Sequence, residues 1–168
     1  MAEKECTEEK MKRNFDEMME RVKMLHEELL SSKPRKPGHI SMEFEHPGVY
    51  LFSERGKFLY AGHSKNMRDR IRRHHQPDRR RNAPFAFLLV REVTDSWKPT
   101  YRPQGSRERL LENKAFLAAF SEQVHRIARM DVRLVRVDDP VVRALLEIYT
   151  STVLNTRYNE FKTTQVNI

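Results

Sequence analysis

The chain has 168 residues and a single cysteine, Cys6, which is the size of one domain and excludes a disulfide framework or a closed cysteine-rich zinc site. Hydrophobic residues make up 38% and charged residues 33%, yet Phe 9, Tyr 5 and Trp 1 are too many aromatics for a disordered chain, and no apolar run approaches the ~20 residues that span a bilayer. The formal net charge of +8 points to a polyanionic partner, nucleic acid first, with a solvated basic surface as the bland alternative.

In chain order, residues 8–30 read as a helix. Met11, Phe15, Met18, Val22, Leu25 and Leu29 fall on one seam, and Thr7 is a plausible N-cap. Two uses of that seam stay open: packing on the chain's own domain, or a homodimer through residues 8–30. The segment 1–32 carries nine acids and six bases, so the positive charge lies downstream. Residues 31–38, with Pro34, Pro37 and Gly38, read as a linker. The expected organisation is an N-terminal amphipathic helix and linker over 1–38, then one domain over 39–168 with a helical insertion at about 94–130.

Two short aromatic runs, Val49 to Ser53 and Phe58 to Gly62, flank the turn Glu54-Arg55-Gly56-Lys57 and predict a β-hairpin, with Val49 and Leu51 on one face and Tyr50 and Phe52 on the other. A helix follows, capped by Ser64 or Asn66, with Met67 and Ile71 facing the core and Arg70 and His74 sharing another face. Residues 63–82 hold eight bases and two acids, and Lys65, Arg73, Arg79, Arg80 and Arg81 are the candidate phosphate contacts. Phe85 to Val93 reads as an apolar strand. Residues 106–130 read as one helix, its apolar positions Leu110, Ala115 or Leu117, Phe120, Val124 and Ile127. Residues 131–137 alternate as a strand. Asp139-Pro140 then starts a helix, with Asp as the cap and Pro at its first position. The fold class is therefore α/β (α+β): a small mixed β-sheet with a hairpin and flanking helices.

Glu147 stands out because nearly every neighbour in VVRALLEIYTSTVL is apolar. A lone carboxylate there is paired, protonated or metal-bound, or it belongs to a narrow solvent stripe through residues 140, 144, 147 and 151. A zinc site of His63, His74 and His75 lacks a fourth ligand at a good spacing.

Taken in order, Gly48-Val49-Tyr50, Tyr60-Ala61-Gly62, Arg70, His74, Glu147 and Arg157-Tyr158-Asn159 resemble the GIY-YIG nuclease superfamily, over residues 46–93 and 131–161. Val49 and Ala61 depart from the family's isoleucines, and His63 stands where small or basic residues are more familiar. The resemblance implies a phosphodiester hydrolase in which Glu147 holds Mg²⁺ (or Mn²⁺), Arg70 binds the scissile phosphate, and Tyr50 or His74 takes the proton of the attacking water. It further implies that Tyr60 orients water or phosphate and that Asn159 holds the glutamate or the hairpin backbone. The implied substrate is DNA, with RNA left open, and no membrane is involved. A cytoplasmic, nucleoid-associated location is the matching expectation. The alternative is a non-catalytic nucleic-acid-binding or adaptor protein on the same scaffold.

Overall fold

The computed structural model describes the backbone of residues 2–76, 83–94 and 107–159, and the side chains of residues 14–76, 83–94 and 109–159. A long helix, α1 (Ala2–Ser31), is followed by two short 3₁₀ turns and then by β1 (Gly48–Glu54) and β2 (Lys57–Ser64). Next come α2 (Met67–His75), α3 (Pro84–Thr94), α4 (Arg107–Glu112), α5 (Lys114–Arg129), β3 (Asp131–Arg136) and α6 (Pro140–Val153). The three strands form one sheet in the order β2-β1-β3, and both pairings are antiparallel. The class is the expected one, with helices packed on a small sheet built around a hairpin.

The hairpin turn pairs Glu54 with Lys57, and both residues between them have positive φ, 51° at Arg55 and 76° at Gly56. That is the backbone of a two-residue type I′ turn, whose twist matches the strands it joins. β1 is the central strand and its side chains divide as the alternation requires. Val49 and Leu51 enter a cluster with Val22, Leu29, Val142 and Leu146, between the sheet and α1 with α6. Tyr50 and Phe52 enter the opposite cluster, with Ile71, Phe85, Phe120, Val124 and Ile127 from α2, α3 and α5. The molecule is thus a helix–sheet–helix sandwich.

Four local expectations are corrected. Residues 84–94 are helical, not a strand. Phe85, Ala86, Phe87, Leu89 and Val90 are all buried, and a run buried on every side carries no periodicity to separate helix from strand. The helix expected over 106–130 is two helices, broken at Asn113, whose side chain accepts from the Ala115 and Phe116 amides and so caps α5. Phe116 is buried beside the expected Phe120, Val124 and Ile127, while Ala115 is exposed. Thr7 is no cap, because α1 already begins at Ala2. The solvent stripe on α6 is not there either: Ser151 is 4% exposed, whereas Val141 and Ile148 face outward.

A dimer through residues 8–30 finds no support. Val22 and Leu29 are fully buried, with Met18 and Leu25 packed beside them, against the chain's own sheet and α6. His26 adds a buried hydrogen bond from α1 to the Thr150 hydroxyl of α6 at 3.0 Å. The remaining caps agree with the sequence: Asn66 accepts from the Asp69 amide, and Asp139 accepts from Val141 and Val142. Among the described residues no helix is long and apolar enough to cross a membrane.

Candidate active site

Tyr50 lies on the central strand directly opposite Gly62 on β2. A Cβ at Gly62 would run into the Tyr50 phenol, so only glycine leaves room for that ring to lie across the edge strand. Tyr60 projects from the same face, its ring 6.4 Å from that of Tyr50 and stacked at 4.7 Å on Phe85. Tyr50 is 1% exposed and Tyr60 is half-buried. Burial pushes both phenols above their ordinary pKa, while the nearby Arg70 guanidinium pulls the other way.

One turn of α2 separates Arg70 from His74, which is why both reach the same phenol. Arg70 donates from Nε to the Tyr50 oxygen at 3.4 Å, and the same oxygen lies 3.0 Å from His74 Nε2. A phenol oxygen can accept from Arg70 and still either donate to His74 Nε2 or accept from it, so the direction of that bond follows the His74 tautomer. His74 is fully buried among the rings of Phe52, Tyr60 and Phe85, and its Nδ1 has no hydrogen-bond partner among the described residues. Desolvation first, and the Arg70 charge second, hold its pKa well below the ordinary 6.5, so it is neutral.

Glu147 sits on α6, the helix packed along β2. Its side chain is only 16% exposed, and its carboxylate is near enough to raise the pKa of both tyrosines. It is neither alone nor on a wet face, because Oε2 is bound by His63 Nδ1 from β2. His63 is 41% exposed at its side chain. It faces α6 because it follows Gly62 by one residue, on the alternate side of the strand from Tyr60 and Gly62. The sequence offered one signal for this contact, a histidine immediately after the second tyrosine motif, and read it as a departure or as part of a zinc site. Among the described residues no three His, Cys, Asp or Glu side chains group around one point, and His63, His74 and His75 point to different partners.

Asn159 joins the C-terminal segment to the hairpin. Its amide spans the Ala61 peptide like another strand, accepting from the Ala61 N–H and donating to its carbonyl, both at 2.8 Å. The Thr156 hydroxyl donates to the same Oδ1 at 2.8 Å and fixes the amide's orientation. The preceding Tyr158 is 7% exposed, with its hydroxyl bound to the Glu92 carboxylate. Asn159 therefore holds the strand between Tyr60 and Gly62, and among the described contacts it does not touch Glu147.

Of the candidate phosphate contacts, Lys65 is exposed just before α2. Arg73 is paired with Asp69 at 2.5 Å. Arg79, Arg80 and Arg81 lie outside the described residues. A cleft of about 440 Å³ at the turn end of the hairpin is lined by Glu54, Arg55, Lys57, Glu92, Arg126 and Tyr158. Neither Tyr50 nor Tyr60 lines it, and its Arg126 is held by Glu54.

For a divalent cation the described donors offer one carboxylate with an imidazole touching it. This suits an ion that keeps most of its positions for water and phosphate oxygens. Comparison with known proteins gives one finding: residues 46–110 match the family model of the GIY-YIG catalytic domain. That span includes Tyr50, Tyr60, Gly62, Arg70 and His74 but neither Glu147 nor Asn159. No curated protein and no solved structure matches the chain.

Proposed function

Starting from a chain that carries a domain of the GIY-YIG nuclease superfamily at residues 46–110, we propose that it is a metal-dependent endonuclease hydrolysing phosphodiester bonds in DNA. The observation that carries this reading is the contact chain Arg70–Tyr50–His74, with Glu147 on the helix packed against the hairpin strand that bears Tyr60. An adaptor protein has no use for a neutral buried histidine hydrogen-bonded to a phenol, or for a carboxylate set into an apolar helix.

Glu147 holds the cation, Mg²⁺ or Mn²⁺, which when bound supplies Lewis-acid stabilisation of the phosphate and of the departing 3′ oxygen. Arg70, positioned through Nε by Tyr50, brings fixed positive charge to the phosphate, where negative charge develops in the transition state. Tyr50 takes the proton of the attacking water, the Arg70 guanidinium favouring the phenolate that burial opposes, while the neutral His74 holds the phenol oxygen in place. Tyr60, half-exposed beside it, orients water or phosphate. Asn159 and Thr156 keep the Tyr60–Gly62 backbone in register. Lys65 and Arg73, together with Arg79, Arg80 and Arg81, grip flanking phosphates, which gives salt-sensitive binding without reading sequence.

The test is cleavage of supercoiled plasmid and defined oligonucleotides with Mg²⁺ or Mn²⁺ by the full chain, by Glu147→Ala and by Arg70→Ala. Loss of cutting by ~10²-fold or more in each variant is expected, because each removes charge stabilisation of the transition state. Cutting that survives both changes undiminished excludes the site.

A further inference from the structure

The contact between His63 and Glu147 is not needed to fold either element. His63 is 41% exposed on the edge strand, whereas Glu147 is largely covered on α6, and the core clusters on both sides of the sheet close without the imidazole. What the contact does is hold an imidazole nitrogen, donating Nδ1–H, against the carboxylate proposed to carry the cation; with an ion between them the neutral ring carries its hydrogen on Nε2 and turns the Nδ1 lone pair to the metal. His63 Nδ1 meets Glu147 Oε2 directly.

We propose that His63 is a second protein ligand of the cation held by Glu147, through Nδ1, and that it sets which metal the site takes. This rests on the nuclease reading above. Adjacent ligands of a six-coordinate divalent ion stand about 3 Å apart. The two atoms already face one another, and a modest turn of the exposed imidazole opens room for an ion between them. The chemical consequence follows from donor type. A site of one carboxylate and water is an oxygen site and suits Mg²⁺, whereas a neutral imidazole beside the carboxylate favours Mn²⁺ and, more strongly, Co²⁺. Neither Tyr50 nor Tyr60 needs to move, since His63 approaches from the α6 side of β2 and the phenols lie on the other.

The experiment binds metal alone to the full chain, without nucleic acid. Electron spin echo modulation of Mn²⁺ at millimolar concentration reads nitrogen coordination directly, and calorimetric titration compares Mg²⁺, Mn²⁺ and Co²⁺. The wild type is expected to show Mn²⁺ with a directly coupled ¹⁴N. His63→Ala and His63→Gln are expected to lose that coupling, to weaken Mn²⁺ and Co²⁺ by ~10-fold or more, and to change Mg²⁺ least. Thermal melts confirm that both variants fold, as substitutions at an exposed strand position should. Mn²⁺ that depends on Glu147 but shows no nitrogen coupling, or coupling that survives both His63 variants, overturns the inference and leaves the nuclease reading standing. No bound metal that Glu147→Gln weakens overturns the inference together with the metal role given to Glu147. The plasmid assay with Glu147→Ala then judges the nuclease reading by itself.

Discussion

Acid should loosen this fold through His74, and the size of the effect can be worked out. The folded chain keeps His74 neutral, because the ring is fully buried and lies near Arg70, and among the described residues Nδ1 has no partner. The unfolded chain protonates it with an ordinary pKa of 6.5. A folded pKa depressed in this way gives stability that is fully present above pH 6.5 and is lost as pH falls toward the folded value. At pH 5, 1.5 units below the unfolded pKa, the proton that only the unfolded chain binds costs about 2 kcal/mol, against almost nothing at pH 7.5. His26 and His75 are also held low by burial and add to the acid loss of the whole protein, so the His74 share must be isolated. His74→Phe does this: it fills the aromatic pocket of Phe52, Tyr60 and Phe85 with a group that does not titrate. Urea unfolding at pH 7.5 and pH 5.0, wild type against variant, reads the difference. The wild type should lose about 2 kcal/mol more than His74→Phe over that interval, which in a domain of this length is roughly 4–8 °C of melting temperature. Equal losses would show that His74 is not held as a neutral buried ring.

Asn159→Ala strips partners from the Ala61 N–H and carbonyl at once. Two buried backbone groups at about 1–3 kcal/mol each predict a loss of roughly 2–4 kcal/mol by urea titration; an unchanged midpoint would mean the amide tie is not structural. Gly62→Ala places a methyl against the Tyr50 phenol, and the displaced ring should cost ~10²-fold in single-turnover cutting; full activity would show that the phenol is not positioned by this glycine. Leu29→Ala, at a fully buried position on the inner face of α1, should cost about 2–5 kcal/mol. A change within error in chemical unfolding would mark α1 as an appendage and not as part of the core.

The hairpin was legible because the alternation of Val49 to Phe52 and the turn at Arg55-Gly56 are local signals that tertiary packing does not override. The caps at Asn66 and Asp139 were legible for the same reason. The segment 84–94 was not, since burial of Phe85, Ala86, Phe87, Leu89 and Val90 removes the contrast between faces from which helix and strand are told apart. The break at Asn113 was missed because a capping residue inside a helical pattern is also an acceptable helix interior residue. Within the site, the residues on one helix turn, Arg70 and His74, could be placed together by spacing alone, as could Tyr50 across from the second motif. The identity of Glu147's partner could not. It depends on how α6 lies along the outer strand, a relation between segments 84 positions apart, and no local pattern encodes it. Part of the basic stretch, at Arg79, Arg80 and Arg81, lies outside the described residues, so its role rests on charge and position.

The tie from Asn159 to Ala61 has a consequence for the chain as it is being made. The hairpin and the helix bearing the guanidinium leave the ribosome before the carboxylate of α6 and the amide that locks the outer strand. On the nuclease reading proposed above, a nascent chain stalled before α6 carries Tyr50, Tyr60 and Arg70 without Glu147, and so lacks the carboxylate assigned to the cation.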